Sequence, residues 1–485
     1  MNSRLRSCLF CLTILLTSPV MSQDFQDGLD AMNRGDYETA LKALKPFLKA
    51  GHPEAQYNLA VMYDNGLGVE QDVEKAFKWY TLAAQGGDAN AQSNLGAMYE
   101  QGIGTDQDIE TAVKWYKLAV AQGASSAQFN LGLLYYNGRG VPQDYRKAAK
   151  LYKLAAEQGE VDAQNNLAQM LDHGVGVPQN FQLALTWYTL AANQGDASSQ
   201  FNLGLLIKDG LGAPQNYKVA RQWFVLAANQ GDVDAQYSLA VLHKDGLGTK
   251  VDEQAALHWY ELAARQNHIQ AQYNLGLMYK NAMTIPQDLS KAAKWFERAG
   301  DQGEAGAQYH LGMMYKNGLG VLQDNVMTAY WYEKAAKQGL ATAQYDLALL
   351  YSNGIGIEQS YIHAVQWMTK AAEGGVADAQ YNLASLYKNG LSVEQNDETA
   401  VYWYHRAAEQ GNTSAQFNLG MMFYNGTGTP QDLVRAFIWW TIASDHGHVG
   451  AKKNLDVVTN AIPTHERDKA LAFTKAWKPK LNKNN

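Results

Sequence analysis

Three pairs of residues have types and spacings that could do chemistry. Ser385 and Lys388, in SLYK, show the S-x-x-K spacing in which a lysine helps activate a serine for acyl transfer. His446 and His448, in DHGHVG, bring two imidazoles within reach of one metal ion. Cys8 and Cys11 are spaced as C-x-x-C, which fits a dithiol redox pair or half of a zinc site.

Each pair is weakened by its surroundings. SLYK lies where other parts of the chain read LMYK (277–280) and MMYK (313–316), and no S-D-N or K-T-G companion is present. The histidines are spaced i, i+2 at a helix–helix turn, with no third ligand evident. His243 stands where Tyr63, Tyr99 and Tyr279 stand elsewhere, which points to a core histidine. GLGV follows a helix and lacks the strand context of a phosphate-binding loop. The expectation is therefore a non-enzyme with no cofactor and no metal.

The cysteines belong to a different kind of segment. Arg4 and Arg6 precede an apolar run, Cys8–Leu16, and Val20-Met21-Ser22 suits cleavage before Gln23. Residues 1–22 are expected to be a signal peptide, which implies a periplasmic or secreted protein whose mature chain has no cysteine. No stretch is long and apolar enough to span a bilayer, so no membrane insertion is expected. Loss of Arg4 and Arg6 takes the formal charge from −7 to −9, a balance that argues against nucleic acid as a partner.

The elements that must position any site are set by a 36-residue period. Ala-Gln opens successive copies at Ala55, Ala91, Ala127, Ala163, Ala235, Ala271, Ala307, Ala343, Ala379 and Ala415, with Ser199 once replacing the alanine. This gives eleven full copies over 55–450, and Ala451 starts a partial twelfth. Such a period signals a solenoid rather than separate globular domains. Each copy holds two helical patterns, shown by Ala91, Leu95, Met98 and Tyr99, then by Ala112, Trp115, Tyr116 and Ala119. Eleven N-cap types precede the second helices: Asp72, Asp108, Asp144, Asn180, Asn216, Asp252, Asp288, Asp324, Ser360, Asn396 and Asp432. Glycines such as Gly102 and Gly123 sit where a left-handed residue is wanted.

One copy breaks the punctuation. KNAMTIPQD (280–288) has Ala282 and Thr284 where other copies have glycine, and Asn267 replaces another glycine nearby. Asn281 can tolerate left-handed geometry and Pro286 is expected to stiffen the loop, giving a locally weaker joint rather than a site.

The repeated template A-Q-Y-N-L-G-x-M-Y-x-N-G-x-G-V-x-Q-D resembles the Sel-one-like repeat, a long-loop relative of the tetratricopeptide repeat, over roughly residues 52 to 460. The resemblance implies an all-α, right-handed solenoid of antiparallel helix pairs serving as a protein-interaction scaffold, with first helices on the concave face. Bacterial members with signal peptides are often linked to envelope processes or host interaction. Cysteine-rich members have been linked to β-lactam binding, but the mature chain lacks their cysteine pairs. Residues 23–54 read as an N-terminal capping helix pair, 451–477 as C-terminal capping helices and 478–485 as a disordered tail.

Opposite its core stripe, the first helix offers an aromatic position: Tyr57, Phe129, Phe201, Tyr237, Tyr273, Tyr309, Tyr345, Tyr381 and Phe417. It also offers a polar one that reads Asp64, Glu100, Tyr136, Asp172, Lys208, Lys244, Lys280, Lys316, Ser352, Lys388 and Tyr424. Two readings stay open. In the first, the aromatics are simply buried between helices while lysine favours a helix C-terminus. Alternatively, Lys208, Lys244, Lys280, Lys316 and Lys388, with Tyr237, Tyr273, Tyr309 and Tyr345, form a groove for an extended or helical segment of another protein with acidic character. Cell-wall-directed enzyme or ligand-binding protein is the first alternative function. An endoplasmic-reticulum luminal adaptor, with sequons at Asn412 and Asn425, is the second.

Overall fold

A computed structural model describes residues 19–281 and 286–480, with side chains from 23 onward. Among the described residues the chain is helical throughout, with no strand. Each repeat contributes two 13-residue helices, as in Ala89–Gln101 and Ile109–Ala121. The first helix begins two residues before the Ala-Gln pair, so the repeats run as 53–88, 89–124 and onward to 413–448; they are numbered 1 to 11 below.

The capping chemistry expected from sequence is present in full. All eleven residues before the second helices accept a backbone N–H from the first turn through their side chains. Each first helix described to its end closes on a left-handed glycine, such as Gly66 at φ 67°. A second glycine two residues on is needed for a different reason. A Cβ at Gly356 would lie 1.9 Å from the carbonyl oxygen of Asn325, at the start of the previous repeat's second helix. Asn267 is left-handed at φ 67°, as expected, and so is Ser392 at φ 63°, which the sequence reading passed over. Asn281 is the last residue of its helix and does not use the left-handed geometry it can tolerate. Ala282 and Thr284 lie outside the described residues.

The chain divides between repeats 5 and 6 into two compact units, ending at Asp232 and beginning at Val233. In the first unit the capping pair Pro19–Asn33 and Tyr37–Lys49 leads into repeats 1 to 5. The cleavage expected between Ser22 and Gln23 would fall in the first turn of Pro19–Asn33. Ala40, Leu44 and Phe47 are buried in this cap, and His52 packs on Phe25 with ring centroids 4.8 Å apart. In the second unit, repeats 6 to 11 are followed by Val449–Val458 and Thr464–Ala476. Trp477 closes that end, edge-on to Trp439 at 6.2 Å. Part of the expected disordered tail is placed: Lys480 donates its backbone N–H to Glu409 O at 2.8 Å, and its Nζ lies 2.6 Å from the Glu409 carboxylate.

The core alternates small and large residues. Ala112, Ala119 and Ala127 are fully buried around Tyr116, and Ala148, Ala155 and Ala163 around Tyr152. Small residues let the helices approach, and a large side chain in each repeat, aromatic except for Met368 in repeat 9, fills the remaining space. Glycine does this most tightly: a Cβ at Gly96 would sit 2.7 Å from the Tyr116 ring. A polar ladder runs through the same core. The glutamine of each Ala-Gln pair is buried, and Gln92 Nε2 donates to Ala84 O at 3.1 Å while Gln122 Nε2 donates to Gln92 Oε1 at 2.9 Å. The side-chain pairing recurs from Gln158–Gln128 to Gln410–Gln380. It stops where Gly86, Gly374 and His446 replace the second glutamine, and Gln56 Oε1 and Gln416 Oε1 are left buried without a partner.

Candidate functional site

Ser385, His446 and His448 make hydrogen bonds within the fold. Ser385 Oγ is hydrogen-bonded with the Tyr404 hydroxyl at 2.9 Å and donates to Tyr381 O at 3.1 Å; Lys388 is not among its partners. His448 caps the helix Val449–Val458, accepting the Ala451 N–H at 3.1 Å, and stacks on Phe417 at 4.3 Å. His446 Nδ1 is 2.8 Å from Ile442 O. Among the described residues no group of three or more candidate ligands could hold a metal. Cys8 and Cys11 lie outside the described residues. Asn412 uses its amide internally, capping its helix through Oδ1 and donating to Asp378 at 2.9 Å.

The first-helix face is where side chains of successive repeats meet. In the first unit Ser93 and Ser126 share a hydrogen bond at 2.9 Å, and Arg139 pairs with Glu100 at 3.2 Å. In the second unit Tyr309 donates to Asp346 at 3.0 Å, and Asn382 donates to the Tyr345 hydroxyl at 3.2 Å. In the first unit the second helices leave one leucine per repeat about half exposed, at Leu82, Leu118, Leu154, Leu190 and Leu226.

The aromatic position is half-buried, so the packing reading accounts for part of it. Tyr57 lies 5.9 Å from the Tyr80 ring, Tyr237 5.9 Å from Tyr260 and Tyr309 5.4 Å from Tyr332. Burial raises the hydroxyl pKa of Tyr273, Tyr309 and Tyr345, so these groups act as neutral donors.

The polar position has different work in the two units. In the first, Tyr80 donates to Asp64 at 3.3 Å and Tyr116 to Glu100 at 3.0 Å, so these acids are receptors for core hydroxyls. Tyr188, whose repeat carries Asp172, makes no hydrogen bond. Lys208 pairs with its neighbour Asp209 at 3.3 Å. A cleft of about 430 Å³ opens between the first helices of repeats 3 and 4, with Tyr136, Tyr152, Asn166, Gln169 and His173 in its lining.

In the second unit the position carries lysine. Lys244 is 3.6 Å from Asp245, and Lys316 is 3.9 Å from Asp346. Lys280 has a neutral partner, its Nζ lying 3.3 Å from His310 Nδ1. His310 lies between the rings of Phe296 (5.2 Å) and Tyr273 (6.0 Å). Burial, then the Lys280 charge, pushes its pKa down to about 4, and burial lowers that of Lys280. Sequence reasoning missed His310 and Asp346, although both replace the asparagine that the template carries at this point.

The profile of the Sel1 repeat matches eleven consecutive segments, from 53–88 to 413–448. The chain belongs to the Sel1 repeat family. Its solenoid is similar to the crystal structure of c5321, described as a protective antigen present in uropathogenic Escherichia coli strains and displaying an SLR fold. The two share 32% identity over 90% of this chain and 94% of that one, with a TM-score of 0.78. A Sel1 repeat protein from Oxalobacter formigenes is 29% identical over 64% of this chain and 90% of that chain, with a TM-score of 0.52. No sequence among curated proteins matches significantly. Sel1 repeat proteins are generally scaffolds that bind other proteins, and no helix among the described residues is long and apolar enough to cross a membrane.

Proposed function

We propose that this Sel1 repeat protein is a periplasmic or secreted, non-enzymatic scaffold that binds another protein along its first-helix face. The observation that carries this is the second unit's lysine position. It is repeated at Lys244, Lys280, Lys316 and Lys388 on one helix face, at a place where repeats 1 and 2 carry acids. Side chains of one sign repeated along a face attract a segment of the opposite sign and set its register. The partner is accordingly an extended or helical segment of acidic character. The leader-like residues 1–22 support export, and likeness to a protective antigen of uropathogenic E. coli supports a role in the bacterial envelope or at the host interface.

Affinity capture from an envelope fraction, with mass spectrometry of what is retained, tests the role. A partner lost on charge reversal of the first-helix lysines supports it. Turnover of nitrocefin or peptidoglycan that Ser385→Ala abolishes would replace it with the enzyme alternative.

A further inference from the structure

Asp346 shows what the lysine-bearing face of the second unit is built to receive. It projects from the first helix of repeat 9, Ala341–Asn353, onto that of repeat 8, Ala305–Asn317. Its carboxylate accepts the Tyr309 hydroxyl at 3.0 Å and lies 3.9 Å from Lys316 Nζ, with its side chain 17% exposed. One tyrosine and one lysine, seven residues apart on a helix, thus hold one carboxylate.

The same tyrosine–lysine pair occurs twice more just upstream. Tyr237 and Lys244 stand on the first helix of repeat 6, and Tyr273 and Lys280 on that of repeat 7. Here the chain supplies no acid at the place of Asp346. Asn274 stands there for the first pair, and His310 for the second.

A second observation comes from beneath the face. In repeats 1 and 2 the core tyrosine finds a carboxylate at the polar position, as Tyr80 does with Asp64. In repeat 6 that position is Lys244, and the Tyr260 hydroxyl is buried with no hydrogen-bond partner, in a residue 0% exposed. A buried donor without an acceptor favours an arriving carboxylate that comes within its reach.

We infer that the first-helix face of repeats 6 to 8 binds side-chain carboxylates of an acidic peptide at the Lys244 and Lys280 positions, as Asp346 does from within the chain at Lys316. This rests on the protein-binding role proposed above and adds the chemistry and spacing of the ligand. Packed helices lie about 8–10 Å apart and an extended chain advances about 3.3 Å per residue. Acids at every third residue therefore match successive repeats.

The test is fluorescence anisotropy with the full chain and a labelled (Glu-Gly-Ser)4 peptide. Its glutamine counterpart and a peptide with the four glutamates adjacent serve as comparisons. The spaced acidic peptide should bind most tightly, and Lys244→Gln with Lys280→Gln should weaken it about tenfold or more. Tyr260→Phe should weaken it while leaving the melting temperature unchanged or higher, because no hydrogen bond within the fold is lost. Asp346→Asn should strengthen it by freeing a third position, an outcome that general charge attraction to any lysine does not single out. Absence of binding, or equal losses from Lys78→Gln with Lys114→Gln on second helices, would overturn the inference. If the captured partner still depends on the first-helix lysines while the acidic peptide does not bind, the carboxylate chemistry fails and the scaffold role stands.

Discussion

Gln122 and Gln92, thirty residues apart, are joined side chain to side chain at 2.9 Å, and Gln92 also donates to Ala84 O in the preceding repeat. One buried amide thus ties the second helices of two repeats together. Gln92→Met should cost about 1–3 kcal/mol, since the Gln122 amide loses its acceptor and the Ala84 carbonyl keeps only the Gly87 N–H. Urea unfolding, with hydrogen exchange to localise the effect to repeats 1 and 2, measures it. A loss below about 0.5 kcal/mol would mean that the ladder adds nothing beyond shape.

Ser392 takes φ 63° where sister repeats have the second loop glycine. A side chain in that region costs about 1–2 kcal/mol, offset in part by the lower chain entropy of serine when unfolded. Ser392→Gly should therefore raise stability by roughly 0.5–1 kcal/mol. Asn267→Gly should gain less, because asparagine tolerates left-handed geometry better. A serine variant less stable than the parent would show that its side chain holds the loop.

His310 binds a proton less readily folded than unfolded, its pKa lowered from 6.5 to about 4 by burial and Lys280. Its contribution is complete above about 6.5 and is lost as pH falls toward 4, because protonation then favours the unfolded chain. His310→Gln should flatten that part of the stability curve relative to the parent. Urea midpoints at several pH values across the interval give the difference, and parallel curves would show that His310 is not the group responsible.

Lys→Glu at 244, 280 and 316 should slow association with the captured partner and leave the helical content unchanged. The effect should shrink as salt shortens the Debye length below its roughly 8 Å at physiological ionic strength. Lys78→Glu with Lys114→Glu, on exposed second-helix positions, should change little. Surface plasmon resonance at two salt concentrations separates the rates. Loss of binding only in the second pair would move the interface to the other face.

Much of the fold was legible because its signals are local. An aspartate such as Asp108 caps the residue three positions on, and Gly102 ends its own helix, so both functions show in a short window. The glutamine of Ala-Gln was seen only as a marker, because its partners lie 8 residues before and 30 after. The candidate face was read as rows of residue types, and its helices and registers agree with the structure. What the sequence did not show is which charges are already engaged. Asp64 and Glu100 look like free acids in the template, yet each takes a core hydroxyl from a tyrosine 16 residues away.

The glutamine ladder also has a mechanical meaning. Directional bonds resist twisting of one helix pair against the next, whereas apolar contact is non-directional and tolerates sliding. Wherever the rung is whole, a repeat behaves as a stiff link. At Gly86, Gly374 and His446 the rung is cut on one side, and in repeats 9 and 11 only the bond to the preceding repeat remains, as from Gln344 Nε2 to Ala336 O at 3.1 Å. Under load or on wrapping a ligand, the coil should therefore give first in repeats 1, 9 and 11, like a spring wound with three softer turns.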